Sequence, residues 1–158
     1  MNDTHFIRRA TAADVDQVTS LFRATVETIN ARDYTPEQVS VWAASAGNTE
    51  NWLQKIAEQY FLVACKGNII TGYASITHTG YLDLLYVHKD FQRRGIARQL
   101  FKALEKYAHE QQFRAITAGV SITAKGFFEK YGFRVLARHE NNRDGIILVN
   151  YSMEKLLH

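Results

Sequence analysis

The chain has 158 residues, 46% of them hydrophobic, which is enough to build one core and fits one domain spanning 1–158. Its formal charge is only +3, with nineteen Lys and Arg scattered among sixteen Asp and Glu, so it lacks the basic stripe of a duplex-binding protein; a solvated surface with a local anion site, and no nucleic-acid partner, is the reading that follows. One cysteine, Cys65, rules out an internal disulfide and a multi-cysteine zinc site, "MNDTHFIRRATAADVD" lacks the apolar core of a leader, and no apolar run approaches the roughly 20 residues of a membrane helix, so a cytoplasmic protein without membrane contact is expected.

Taken in chain order, "HFIRRA" reads as a first strand. Thr11 then opens T-x-x-D, a capping-box variant, before a helix with Val15, Val18, Phe22, Val26 and Ile29 on one face. In "TPEQVSVWAASAG" Thr35 caps a second helix, Pro36 takes its first position, Gln38 closes the box and Gly47 offers a left-handed stop. "ENWLQKIAEQ" reads as a further short helix with Trp52, Leu53 and Ile56 facing inward. The period then changes: "YFLVAC", "IITGYASI" and "YLDLLYV", separated by "KGN" and "THTG", predict an antiparallel meander. A long helix from about Gly95 to Gln111, a strand "RAITAGV", a helix "ITAKGFFEKY" ended by Gly132, and the strands "FRVLAR" and "IILVNYSM" complete the chain. The fold class predicted is α+β, a mostly antiparallel mixed sheet flanked by helices in the order β-α-α-β-β-β-α-β-α-β-β.

The joint between strand and helix at "LDLLYVHKDFQRRGIARQL" carries the strongest chemical signal. A helix beginning after Gln92, Arg93, Arg94 and Gly95 presents unpaired N–H groups and the positive end of its dipole, and a glycine there lets an oxyanion approach the backbone. Arg93, Arg94 and Arg98 crowd the end of a helix where cations are unfavourable by about 0.3–1 kcal/mol, which points to an arriving anion. The alternative is an ordinary turn with exposed arginines. Neither a Walker loop nor a G-x-G-x-x-G fingerprint occurs, and the joint reads as a cradle for the phosphates of a large cofactor.

"LLYVHKDFQRRGIARQLFKALEKYA", followed by "AITAGVS" and "AKGFFEKYGFRV", resembles motifs A and B of the GNAT superfamily of acyl-CoA-dependent N-acetyltransferases. "SITAKGFFEKYGF", "GIILVNYSMEKL" and "YTPEQVSVWA" resemble more narrowly its YafP-like branch. The resemblance implies acetyl-CoA as cosubstrate, in a gap between the strands that end at Val87 and Ser121. It implies main-chain contacts from Leu85 and Val87, with Tyr86 between them. The diphosphate falls to the amides of Arg93, Arg94, Gly95, Ile96 and Ala97 together with Arg98, at a loop begun by Gln92. Ser121 stands where relatives carry an asparagine that touches the cofactor, and Phe128 where they carry a tyrosine acid.

Acetyl transfer to an amine needs a neutral nucleophile, and a base or water relay helps because a free lysine-type amine has a pKa near 10.4. Asp83 is the preferred base and Tyr81 its companion, at positions where the resemblance implies groups that pass the proton to water; a solvated strand position is the alternative for Asp83, and packing for Tyr81 and Tyr86. A regular strand would put Asp83, Leu85 and Val87 on one face, and a bulge would reassign them. With Phe128 unable to donate a proton, Tyr131 is the candidate acid, Tyr151 a second one, and an unassisted thiolate departure the alternative. The six histidines show no ligand spacing, so no metal is expected. Tyr34, Trp42 and Trp52 either line the acceptor side or staple helices to the sheet. The acceptor expected is a small-molecule or peptide amine, the protein a monomer or homodimer, and the main alternative a non-catalytic acyl-CoA sensor.

Overall fold

The computed structural model describes residues 5–158. Residues 1–4, part of the opening segment read above for a leader, lie outside them. Strand β1 (Phe6–Arg9) leads into helix α1 (Val15–Thr28), and helices α2 (Pro36–Ala43) and α3 (Thr49–Glu58) follow. Then come β2 (Tyr60–Lys66), β3 (Ile69–Ile76), β4 (Tyr81–Val87), α4 (Ile96–Glu110), β5 (Ala115–Ser121), α5 (Lys125–Lys130), β6 (Arg134–Arg143) and β7 (Ile146–Leu156). The α+β class and mostly antiparallel sheet expected from the sequence are borne out, and the short helix at "ENWLQKIAEQ" counts as a full third helix before β2.

Local chemistry explains most of the boundaries. The Thr35 N–H donates to Gln38 Oε1 at 2.8 Å and Gln38 N–H returns to Thr35 Oγ1 at 3.2 Å, the predicted capping box. At the first box Asp14 does the main work: it accepts from the Thr11 N–H at 2.8 Å and holds both Arg8 guanidinium nitrogens at 2.8 Å, tying β1 to α1. Gly132 ends α5 in the left-handed region (φ 96°), where the Phe133 N–H closes back on Phe128 O at 3.0 Å. Gly47 is not left-handed, because α2 tightens into a 3-10 turn at Ala44–Gly47 that runs directly into the Asn48 cap of α3. The helix predicted across "ITAKGFFEKY" is shorter, since Ser121 Oγ accepts from the Ala124 N–H at 3.1 Å and makes a turn of its first residues.

The seven strands lie in the order β1-β2-β3-β4-β5-β7-β6. Among the described residues only β4 and β5 run parallel, and they pair at Tyr81↔Thr117 and Leu82↔Ala118. Beyond Leu82 the two strands diverge. One core, with Val18, Phe22, Val26, Trp52, Phe61 and Tyr73, lies under α1, α2 and α3. The other, with Ile96, Leu100, Phe101, Leu104, Ile116 and Met153, lies under α4 and α5. Gly72 brings α4 close to the sheet: a Cβ there would stand 2.9 Å from Ile96 Cγ2 and 3.1 Å from both Leu100 Cδ1 and the Tyr86 carbonyl oxygen.

Candidate active site

The divergence of β4 from β5 has a local cause. Ser75 pairs with Leu84 and Ile76 with Leu82, so Asp83 is an extra residue on β4 opposite β3. A bulge of this kind bends its strand and raises its twist. It also reassigns the faces: Leu84 and Tyr86 join the core under α1–α3, while Leu82, Leu85 and Val87 face the core under α4 and α5. Asp83 therefore does not share a face with Leu85 and Val87, as a regular strand would have it. Its carboxylate turns toward α3, where it is ion-paired with Lys55 and accepts from Gln59 Nε2 at 2.9 Å.

Above the fork runs a cleft of about 720 Å³, lined by β4 from Tyr81 to Val87, by Gly119, Val120 and Ser121 of β5, and by Gln92, Ala97, Phe127 and Phe128 on the α4–α5 side. Because the His88 N–H bonds to Thr71 O at 2.8 Å, the backbone groups of Val87 and Leu85 alternate away from β3 and face this gap. The Val87 carbonyl is already engaged, by Gln92 Nε2 at 2.7 Å and Thr25 Oγ1 at 3.1 Å. Its N–H and the groups of Leu85 are the ones left toward the gap.

At the end of β4 the chain makes a 3-10 turn at Lys89–Phe91 and then curls into α4. Arg93 (φ 61°) and Gly95 (φ 78°) are both left-handed, and for a non-glycine residue that is a strained position of the sort held at binding loops. Nothing lies within 4 Å of where a Cβ on Gly95 would stand. The first helical bond is the Gln99 N–H to Gly95 O at 3.0 Å, so the N–H groups of Ile96, Ala97 and Arg98 precede it and open into that space. Arg93, Arg94 and Arg98 are exposed around them, while the Ile96 side chain is core at 1% exposure and only its backbone is available. The structure thus gathers at one helix end every residue the sequence assigned to the diphosphate.

Tyr81 stands at the base of the fork, and a Cβ on Gly119 would lie 2.9 Å from its hydroxyl, so Gly119 leaves the ring room to cross toward β5. Burial raises the Tyr81 pKa, the Asp83 charge adds to this, and the Gly119 N–H works against it, so the hydroxyl stays a donor at neutral pH. Tyr131 lies elsewhere. At the end of α5 it packs on Phe127 (4.7 Å between ring centroids) and Phe101 (5.5 Å), away from the cleft lining, because the early turn at Ile122–Ala124 brings Phe127 and Phe128 to the cleft instead. Tyr151 is likewise outside that lining, under the Lys125 ammonium at 5.4 Å.

On the other side of β4 the wall is aromatic and partly polar. Trp42, Trp52 and Tyr34 line it, as does the Tyr86 ring, whose hydroxyl pKa is raised first by burial. Tyr34 also fastens this wall: its hydroxyl donates to Val149 O at 2.8 Å and accepts from the Ile122 N–H at 2.9 Å, joining the loop after α1 to β7 and to the end of β5. Gln38 Nε2 adds a bond from α2 to Ile147 O at 2.7 Å. Sequence reasoning missed Lys55, Asn150 and Arg143, which complete the wall; the amphipathic face of "ENWLQKIAEQ" could have flagged Lys55, whereas nothing local marks the other two.

A split parallel pair within an antiparallel sheet, with the open N-terminus of α4 beside the split, is the architecture that places the protein in a class. The chain belongs to the GNAT acetyltransferase family, whose domain model matches residues 30–155. It is 33% identical over 148 residues, 93% of each chain, to the uncharacterized N-acetyltransferase YafP of Escherichia coli, as the YafP-like motifs predicted. A GCN5-related N-acetyltransferase of Rhodopseudomonas palustris superimposes with a TM-score of 0.93 at 30% identity, over 99% of this chain and 98% of that one. The PaiA N-acetyltransferase of Thermoplasma acidophilum, solved in complex with coenzyme A, shares the fold at a TM-score of 0.78 and 20% identity, over 98% of this chain and 99% of that one.

Proposed function

We propose that the chain, over 1–158 as one domain, is a cytoplasmic acetyltransferase that passes the acetyl group of acetyl-CoA directly to a primary amine in a ternary complex. The observation that carries this reading is the cleft between diverging β4 and β5, closed at one end by the left-handed Gly95 turn. Backbone amides from Arg93 to Ala97, with Arg98, take the diphosphate, and Leu85 and the Val87 N–H pair with the pantetheine arm as an added strand edge. Ser121 and Phe128 flank that arm from β5 and α5. The bound thioester supplies an activated acyl carbon, a new N–C bond forms as the S–C bond breaks, and the amine proton leaves to Asp83 or to water beside it. Tyr81, held protonated, donates a hydrogen bond at the fork. With Tyr131 and Tyr151 outside the cleft lining, the CoA thiolate leaves without a dedicated acid, which a thiol of ordinary acidity tolerates.

A second reading, an acyl-CoA sensor, is favoured by one feature: the Asp83 carboxylate is already held by Lys55 and Gln59. Mixing the protein with acetyl-CoA and a panel of primary amines, while following free thiol, separates the two. Amine-dependent thiol release supports the transferase; tight CoA binding with no release above background for any amine supports the sensor.

A further inference from the structure

Three charged side chains line the acceptor part of the cleft: Lys55, Asp83 and Arg143. Lys55 and Asp83 neutralise each other in an ion pair. Arg143, at the end of β6 where the β6–β7 hairpin turns, has no ion pair with any described residue, although other arginines of the chain do: Arg8 with Asp14, Arg134 with Glu154, and Arg138 with Glu140. Glu140 on its own strand is thereby taken, and Asp144, the next residue in the exposed turn, is not ion-paired with Arg143. Next to Arg143 the wall is made of amides, and their bonds leave a donor over. Asn141 Nδ2 donates to Leu148 O at 3.1 Å and to Asn150 Oδ1 at 2.9 Å, so the Asn150 oxygen is used and its NH₂ remains. That Nδ2 points back toward the fork, 3.6 Å from where a Cβ on Gly119 would stand, beside the Tyr81 hydroxyl.

We propose that the acceptor is an amine that also carries a carboxylate, with Arg143 and the Asn150 amide taking the carboxylate while the amine faces Asp83. This rests on the transferase reading above and names its substrate class. Arg143 is exposed to solvent at the hairpin end and Asn150 half-buried, and a carboxylate entering the cleft is the group that both could hold, in the forked geometry an arginine favours. The same cleft holds the acceptor-only Asp83, which the amine would approach beside its partner Lys55. The rings of Trp42, Tyr34 and Tyr86 line the same cleft, which suits an amine and carboxylate joined by an apolar or aromatic body. Both charges act on one buried group: the Tyr86 hydroxyl is raised by burial first, the Asp83 charge adds to this, and the Arg143 charge opposes it.

The test compares phenylalanine, phenylalanine amide and 2-phenylethylamine as acceptors, with thiol release as readout, in the wild type and in Arg143→Gln and Arg143→Lys. The wild type is expected to favour the free acid in kcat/KM by about tenfold or more, the range of a hydrogen bond to a charged group. Arg143→Gln should bring the three acceptors within about twofold of one another, and Arg143→Lys should restore part of the preference. Calorimetry supplies a readout besides activity: in the presence of CoA, N-acetylphenylalanine should bind the wild type more tightly than its amide and bind Arg143→Gln no better than the amide. A wild type that uses the amide or phenylethylamine as well as the acid, or a panel in which the acid is not acetylated, overturns the proposal. Failure of coenzyme A itself to bind would instead overturn the transferase reading.

Discussion

Gly72→Ala tests whether packing between β3 and the first turn of α4 sets the position of the phosphate cradle. A methyl on residue 72 would sit 2.9 Å from Ile96 Cγ2, where carbon atoms rest at roughly 3.5–4.0 Å, so the first turn of α4 must recede by about 0.6–1 Å. It cannot slide aside easily, because Leu100 stands 3.1 Å away and the Tyr86 carbonyl oxygen equally close, and Ile96 and Leu100 are 1% and 0% exposed. Overpacking of this kind costs about 1–3 kcal/mol. Removing a glycine from the unfolded chain returns about 0.5 kcal/mol, since residue 72 is not in a left-handed conformation. The net, about 0.5–2.5 kcal/mol, lowers the melting temperature by about 1–10 °C for a chain of this size. The same recession moves the N–H groups of Ile96 and Ala97 away from the edge of β4, and CoA affinity is expected to fall about tenfold, or 1.4 kcal/mol. Thermal unfolding and calorimetric titration with CoA read the two effects. A variant that melts at or above the wild-type temperature and binds CoA with wild-type affinity would refute the coupling.

Asp83→Asn is expected to lower turnover by about 10²–10⁴-fold while acetyl-CoA affinity is kept, as for loss of a general base, and unchanged turnover would reject Asp83 in that role. Tyr131→Phe is expected to leave kcat within about twofold of the wild type, because this side chain packs on Phe101 and Phe127 outside the cleft; a drop of tenfold or more, beyond about 1.4 kcal/mol, would return it to the mechanism. The Arg8 side chain holds the Asp14 carboxyl below the usual carboxylate range, so its contribution to stability is full above the unfolded pKa of about 3.9 and is lost as pH falls through the lower folded value. Asp14→Asn should therefore destabilise at pH 7 by about 1–2 kcal/mol, discounted for the 40% exposure of Arg8, and should lose less stability than the wild type between about pH 5 and 2; parallel acid curves would contradict this.

What could be read from the sequence was what neighbouring residues decide among themselves. The Thr35–Gln38 box, the glycine stop at Gly132 and the start of α4 after Gly95 each depend on a few adjacent positions, and each appears as expected. The glycine turn between β4 and α4 was legible for the same reason. The bulge at Asp83 was not, because it is a mismatch between two strands, β3 and β4, that no single segment encodes. Lys55 was missed for a related reason: it meets Asp83 only after α3 folds back over the sheet, 28 residues away in the chain. Arg143 reaches the cleft only because β6 extends past "FRVLAR" to residue 143, and Asn150, although inside "IILVNYSM", is a cleft residue only because the β6–β7 hairpin lies beside α2. Tyr131 went the other way: the Ser121 turn shortened α5 and left the tyrosine at its end rather than on its cleft-facing side.

The most direct test is to follow backbone amide resonances while coenzyme A is added to the ¹⁵N-labelled protein. The largest shifts should fall on Gly95, Ile96, Ala97 and Arg98, with smaller ones at Leu85 and Val87. Saturable binding whose largest shifts lie away from the start of α4, or no binding at all, would contradict the assignment of this helix end as the diphosphate site.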